Sequence, residues 1–227
     1  MKSEQFKKIL IAVKPFFNRT VARNIIFSIS GIILFLAGTV VYGIVLNLRD
    51  VPISEAMLKK GFTRLKDVNI LIDRKSYMLQ VYEDTVLIKS YRASFGRNLR
   101  DKKKMRNDGA TPVGTYKICS IDTSHNYYKY LRLNYPNLDD GAEALRRGNI
   151  TQREFNDIKF DFYYNDCIQT ETVLGNIVAI HGIGRLNYIF KNLPFVYNWT
   201  DGSIAISNEN IDELLTVIGK GTTVVIK

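Results

Sequence analysis

The sequence predicts a mainly β domain with a helical insertion, preceded by one N-terminal transmembrane helix. Three observations support this fold class. Residues 25–46 form a run of 22 residues without a charge. From Val68 onward, several short segments alternate apolar and polar residues with a period of two, as half-buried strands do. Between two groups of these segments lie two helix signals, one over residues 139–147 and one that opens at Thr151.

The apolar run predicts an uncleaved membrane anchor over residues 25–46. A helix needs about 20 apolar residues to cross a bilayer. A buried globular helix of this length would seldom be apolar on every face, and a signal peptide has a shorter apolar region with a small-residue cleavage site. Residues 1–24 carry six basic side chains and one acidic one. They therefore predict a cytoplasmic basic segment, with the rest of the chain outside the cytoplasm.

Two further regions follow the anchor. Residues 47–66 predict a juxtamembrane linker with a short helix over 52–61, capped by Ser54. Residues 67–227 predict one domain. Its strand candidates are 69–73, 77–82, 85–91, 115–121, 176–180 and 222–226. Its helix candidates are 139–147, a helix that opens with a capping box at 151–154, and 209–218 with Asn208 as its cap.

The distribution of charge limits the classes of molecule that the protein is expected to bind. Most of the net charge of +10 lies in the first 49 residues, so the outer region is only mildly basic. Nucleic acid is therefore excluded as a partner, and an extracytoplasmic polymer that bears carboxylates fits better.

The one dense basic patch, residues 97–106, is expected to be a solvated loop. Cys119 and Cys167 could pair in an oxidising compartment, but Cys119 lies in an apolar run and is expected to be a buried core thiol.

The candidate catalytic residues lie at two glycine turns. His181 ends an apolar strand and precedes a Gly-x-Gly turn, which is where a catalytic base is useful. His125 lies in a polar aromatic segment and has no comparable setting. In TDGS, residues 200–203, a turn glycine presents Ser203, and the nearby main-chain N–H groups could form an oxyanion hole. Two histidines and two distant cysteines predict no metal site, and no cofactor is expected.

These motifs occur in a recognisable order: TPVG at 111–114, IHG at 180–182, TDGSIA at 200–205, Asn208, and IDEL at 211–214. The order resembles the YkuD-type L,D-transpeptidase domain, in the branch with a T-D-G-C-I-A signature. LNYPN at 133–137 also resembles that branch. The resemblance covers most of the region outside the anchor. It implies a YkuD-like β-sandwich or barrel.

The resemblance also implies roles for residues. In this family a cysteine attacks a carbonyl of a peptidoglycan stem peptide, and a histidine acts as the base. By position, His181 matches the base, Ser203 the nucleophile, and Gly202 the oxyanion site. Thr200 is expected to orient His181 or the substrate, and Asp201 and Gly182 to border the substrate.

The departure from the family is Ser203 itself. A hydroxyl does not ionise near neutral pH, so it needs a well-aligned base during attack. Ser203 is therefore consistent with an engineered Cys-to-Ser form, a natural serine enzyme, or an inactive homologue that still binds muropeptides.

The function implied by the resemblance is acyl transfer on stem peptides, either to make 3-3 crosslinks or to attach protein to murein. The alternatives are a murein amidase or peptidase that releases attached protein or trims stems, and a non-catalytic murein-binding protein. The implied location is the bacterial cytoplasmic membrane, crossed once, with the catalytic domain on the periplasmic side. The expected partners are stem peptides and a murein-attached protein.

Overall fold

The computed structural model describes residues 18–48, 50–193 and 195–227. Helix α1 (Arg19–Leu48) contains the apolar run. Among the described residues it is the one helix long and apolar enough, by length and composition, to cross a membrane. Its apolar side chains are exposed, with Leu34 at 72% and Phe35 at 69%. The prediction of one N-terminal apolar helix is confirmed, while the first 17 residues of the basic segment lie outside the described residues.

The domain that follows contains a mixed sheet with helices, as predicted. Within the described residues the sheet has eight strands in the order β3-β2-β1-β8-β4-β5-β6-β7. The strands are β1 (Val68–Asp73), β2 (Met78–Glu83), β3 (Val86–Arg92), β4 (Gly114–His125), β5 (Tyr128–Leu133), β6 (Ala179–Gly182), β7 (Ile204–Ile206) and β8 (Thr223–Ile226). The pairs β1–β8 and β6–β7 are parallel, and the other pairs are antiparallel.

Strand β5 is absent from the sequence prediction. The polar aromatic segment around His125 proves to be a hairpin, in which β4 runs to His125 and β5 returns from Tyr128. Tyr128 has a positive φ of 71°, the left-handed backbone that tight turns use. Lys129 and Arg132 lie on opposite faces of β5, so neither face is continuously apolar and the period-two signal is weak.

The two ends of the sheet are joined by main-chain hydrogen bonds. Ser94, just after β3, donates its N–H to the Ala205 carbonyl (2.8 Å), and the Ala205 N–H donates to the Ser94 carbonyl (2.9 Å). Gly96 and Thr200 form a further bridge. The short strand β7 is therefore bonded on both sides, to β6 and to the segment after β3.

Five α-helices surround the sheet within the described part of the domain: α2 (Ile53–Lys59), α3 (Leu138–Arg146), α4 (Gln152–Tyr164), α5 (Asn187–Lys191) and α6 (Asn208–Leu215). Ile53 and Met57 of α2 belong to the main hydrophobic core, so this helix packs as part of the domain. The boundary at residue 67 stays a prediction.

The helix caps differ in part from those expected. The capping box at Thr151 and Glu154 is confirmed, and α3 begins with a second one at Asn137 and Asp140. The prediction that Asn208 caps the last helix is wrong, because the Ser207 hydroxyl accepts the N–H of Asn210. Ser54 is likewise inside α2, which begins after Pro52.

The two cysteines form a disulfide. Cys119 on β4 and Cys167 after α4 are joined across a sequence separation of 48 residues, with their Cα atoms 5.1 Å apart. Each residue is only 5% exposed. The expected burial of Cys119 is confirmed, but its interpretation as a free core thiol is wrong. The bond fastens the helical insertion to the sheet.

Candidate active site

Strands β6 and β7 bring the candidate base and nucleophile together. His181 lies within β6, and Ser203 comes directly before β7. In the parallel register, Ile180 pairs with Ile204 and His181 with Ala205. Because successive side chains alternate between the faces of a sheet, His181 and Ser203 project from the same face. Both side chains line one cavity of about 250 Å³.

His181 is 2% exposed and enclosed by aromatic rings. The Tyr130 ring stacks on it at 5.8 Å, and Tyr127 and Trp199 lie at 4.8 and 5.7 Å between ring centroids. Its Nδ1 lies 2.7 Å from the Gly182 carbonyl oxygen. Since a carbonyl only accepts, Nδ1 carries the proton and donates. In the neutral ring the lone pair is then on Nε2, which is the atom able to act as a base.

The Ser203 hydroxyl contacts both neighbouring strands. Its Oγ accepts the N–H of Ala179 on β6 at 3.2 Å. It also shares a hydrogen bond with the Tyr130 hydroxyl on β5. Burial raises the pKa of Tyr130, and the hydrogen bond with Ser203 opposes part of that rise. These two hydrogen bonds hold the Ser203 side chain in the cavity wall, next to strand β6, which carries His181.

The TDG turn is tied by the Thr200 hydroxyl. Thr200 Oγ1 donates to the Ser203 carbonyl at 2.6 Å and accepts the Gly202 N–H at 3.3 Å. Its contacts therefore brace the turn. Because the Gly202 N–H is directed at Thr200, the Ser203 N–H is the better candidate oxyanion donor. Asp201 is exposed on the cavity rim, where it forms an ion pair with Arg97.

Two glycines are required by close packing. Gly202 has a φ of +124°, and a Cβ there would lie 2.5 Å from the Ala110 carbonyl oxygen. A Cβ on Gly182 would lie 2.7 Å from Asn208 Oδ1. Asn208 in turn accepts the Gly184 N–H at 2.9 Å and donates to the Gly184 carbonyl at 3.2 Å. Asn208 therefore holds the turn that follows His181.

Lys103 is one of the cavity residues that the sequence interpretation missed. The segment 97–106 was expected to be a solvated loop, but the Lys103 side chain is only 5% exposed. Its amine forms an ion pair with Asp108 (3.0 Å) and lines the cavity that holds His181 and Ser203. The signal that could have found it is an aspartate five residues after a lysine, immediately before the Gly109 turn.

The cavity thus combines a hydroxyl with an imidazole of fixed tautomer. That combination is used for acyl transfer in several unrelated folds. Within the described part of the chain, no three His, Cys, Asp or Glu side chains lie close enough together to hold a metal ion.

The family model for the YkuD L,D-transpeptidase catalytic domain matches residues 67–226. The chain therefore belongs to the YkuD L,D-transpeptidase family.

Several solved bacterial structures have similar folds, and these include the following three. The helical cell shape determining protein Pgp2 of Campylobacter jejuni is 21% identical, with 70% of this chain and 47% of that chain covered and a TM-score of 0.46. An L,D-transpeptidase of Xylanimonas cellulosilytica is 16% identical, with 78% and 70% covered and a TM-score of 0.42. Bd1075 of Bdellovibrio bacteriovorus is 21% identical, with 72% and 48% covered and a TM-score of 0.43. The chain thus spans about half the length of two of these proteins. Among curated proteins, none matches it.

Proposed function

We propose that this protein carries out L,D-transpeptidase-like acyl transfer on peptidoglycan stem peptides, with Ser203 at the nucleophile's position and His181 as the base. The observation that carries the proposal is the placement of both side chains on one face of paired strands, lining one cavity. Membership of the YkuD family supports the substrate class.

The mechanism follows from the positions of the groups. His181 Nε2 takes the Ser203 proton as Oγ attacks the scissile carbonyl, and the oxyanion accepts the Ser203 N–H. Collapse breaks the peptide bond and expels the terminal residue as an amine, which takes the proton from the imidazolium. The resulting ester passes its acyl group to an amine, giving a 3-3 crosslink or a murein-attached protein, or to water, giving hydrolysis.

Helix α1 supports a location at the membrane. As an uncleaved anchor with its basic flank in the cytoplasm, it would place the domain on the periplasmic side of a bacterial cytoplasmic membrane, beside the peptidoglycan. A topology reporter fused after Lys227 should be active only outside the cytoplasm, and activity inside would refute this orientation.

A murein-binding homologue without activity is the second candidate. It is favoured by the Ser203 hydroxyl itself, whose Oγ accepts the Ala179 N–H and shares a bond with Tyr130. Mass spectrometry of muropeptides incubated with the full chain distinguishes the possibilities. Crosslinked products support transfer, trimmed stems support hydrolysis, and bound but unchanged stems support the binding homologue.

Ser203→Cys tests the site directly. A free thiol is about 3% ionised at pH 7 when its pKa is about 8.5, so full ionisation beside His181 would raise the reactive fraction up to about 30-fold. We expect Ser203→Cys to be acylated by a carbapenem, and His181→Ala to remove most of that rate. The parent is the control, because its two cysteines are already in a disulfide. Labelling no faster than the parent, or indifferent to His181, would refute the pairing.

A further inference from the structure

A buried ion pair, Lys103–Asp108, forms part of the cavity wall. Their side chains are 5% and 16% exposed, and Lys103 Nζ lies 3.0 Å from Asp108 Oδ1. Burial alone would raise the pKa of Asp108. Hydrogen bonds from the main-chain N–H groups of Lys104, Met105 and Ala110, and from Lys103, have the larger opposite effect, so the pKa of Asp108 is lowered. Asp108 is thus a carboxylate that holds the loop and its lysine in place.

The Lys103 amine faces the nucleophile's turn. Its Nζ lies 3.2 Å from the position that a Cβ on Gly202 would occupy. Among the described residues, Asp108 and the Met105 carbonyl (3.2 Å) accept two of its three N–H donors. The third N–H donor is therefore available to a ligand in the cavity. The pairing of Lys103 with Asp108 fixes the direction in which the remaining donor points.

We propose that Lys103 binds the terminal carboxylate of the acyl donor, with Asp108 as its positioning residue. This inference rests on the proposed function. The acyl donor ends in a free carboxylate one residue beyond the scissile carbonyl, and Gly202 directly precedes the nucleophile's position. A donor whose scissile carbonyl lies beside Ser203 therefore brings its terminal carboxylate towards Lys103. Charge-assisted hydrogen bonds of this kind are the strong ones, so the site selects donors with a free carboxyl end.

Binding can be measured without relying on turnover. Trp199 is the only tryptophan in the chain and lines the cavity, so its fluorescence reports occupancy. The probes are a stem tetrapeptide that ends in D-alanine and the same peptide with a C-terminal amide. The full chain in detergent micelles should bind the acid at least about tenfold more tightly than the amide.

Substitutions at Lys103 and at its neighbour Lys104 test whether Lys103 causes the preference for the acid. Lys103→Met should reduce the acid-to-amide ratio to near one, whereas Lys104→Met, an exposed neighbour, should keep it. Because Lys103→Met leaves Asp108 without its cation, the charge-neutral pair Lys103→Met with Asp108→Asn carries the test if the single variant does not fold. Equal binding of acid and amide by the parent, or a ratio unchanged by the loss of Lys103, would overturn the inference and leave the proposed function standing. Binding of neither peptide would overturn both.

Discussion

Removal of the Cys119–Cys167 disulfide should lower the free energy of unfolding by several kcal/mol. The bond closes a loop with a sequence separation of 48 residues. For a loop of that length, the lost entropy of the unfolded chain corresponds to about 4 kcal/mol at 25 °C. That value is a ceiling, because residual structure in the unfolded chain reduces it. The loop contains β5, α3 and α4, so their attachment to β4 should weaken together.

The measurement is denaturant unfolding of the oxidised parent, the parent with reductant, and Cys119→Ala with Cys167→Ala. We expect the oxidised parent to exceed the double variant by about 2–4 kcal/mol, and the reduced parent to lie close to the variant. Peptide mapping without reductant should recover the linked cysteines. Equal midpoints for all three samples would refute the reasoning, since the bond would then not constrain the unfolded chain.

Two further substitutions test the turn and the insertion. Gly202→Ala should lower the unfolding temperature and weaken peptide binding. The added Cβ costs about 1–3 kcal/mol of backbone strain and approaches the Ala110 carbonyl oxygen. Gly219→Ala is the matched control, because a Cβ there meets nothing within 4 Å. Burial raises the pKa of Asp140 from 3.8 to about 6. The native state therefore keeps this proton to a higher pH than the unfolded chain does, so stability falls as pH rises from about 3 to 7. Asp140→Asn should remove this loss of about 3 kcal/mol, and a slope unchanged from the parent would contradict it.

Local patterns were sufficient for much of the framework. The uncharged run identified α1, because a membrane-length helix needs no tertiary partner to be visible in sequence. The capping box at Thr151 placed the start of α4, since it depends on residues three positions apart. The assignments of His181 and Ser203 as base and nucleophile stay predictions, although both do line one cavity.

Features that depend on distant contacts were not predictable. The disulfide required Cys119 and Cys167 to meet across the insertion, and no local pattern reports their separation. Lys103 lies in a run of charges that is typical of a solvated loop. Its burial depends on Asp108 and on the Gly202 turn, which comes about a hundred residues later in the chain. The disulfide and the burial of Lys103 both depend on contacts between residues that are far apart in the sequence.

The hydrogen bonds between Ser94 and Ala205 constrain how a peptide can approach Ser203. Many peptide-binding proteins recognise an extended ligand by β-augmentation, in which the ligand adds a strand to an open sheet edge. Strand β7 offers no such edge, because β6 occupies one side and the segment after β3 occupies the other. The acyl donor proposed above therefore cannot bind by adding a strand to β7, and the groups that line the cavity must recognise it.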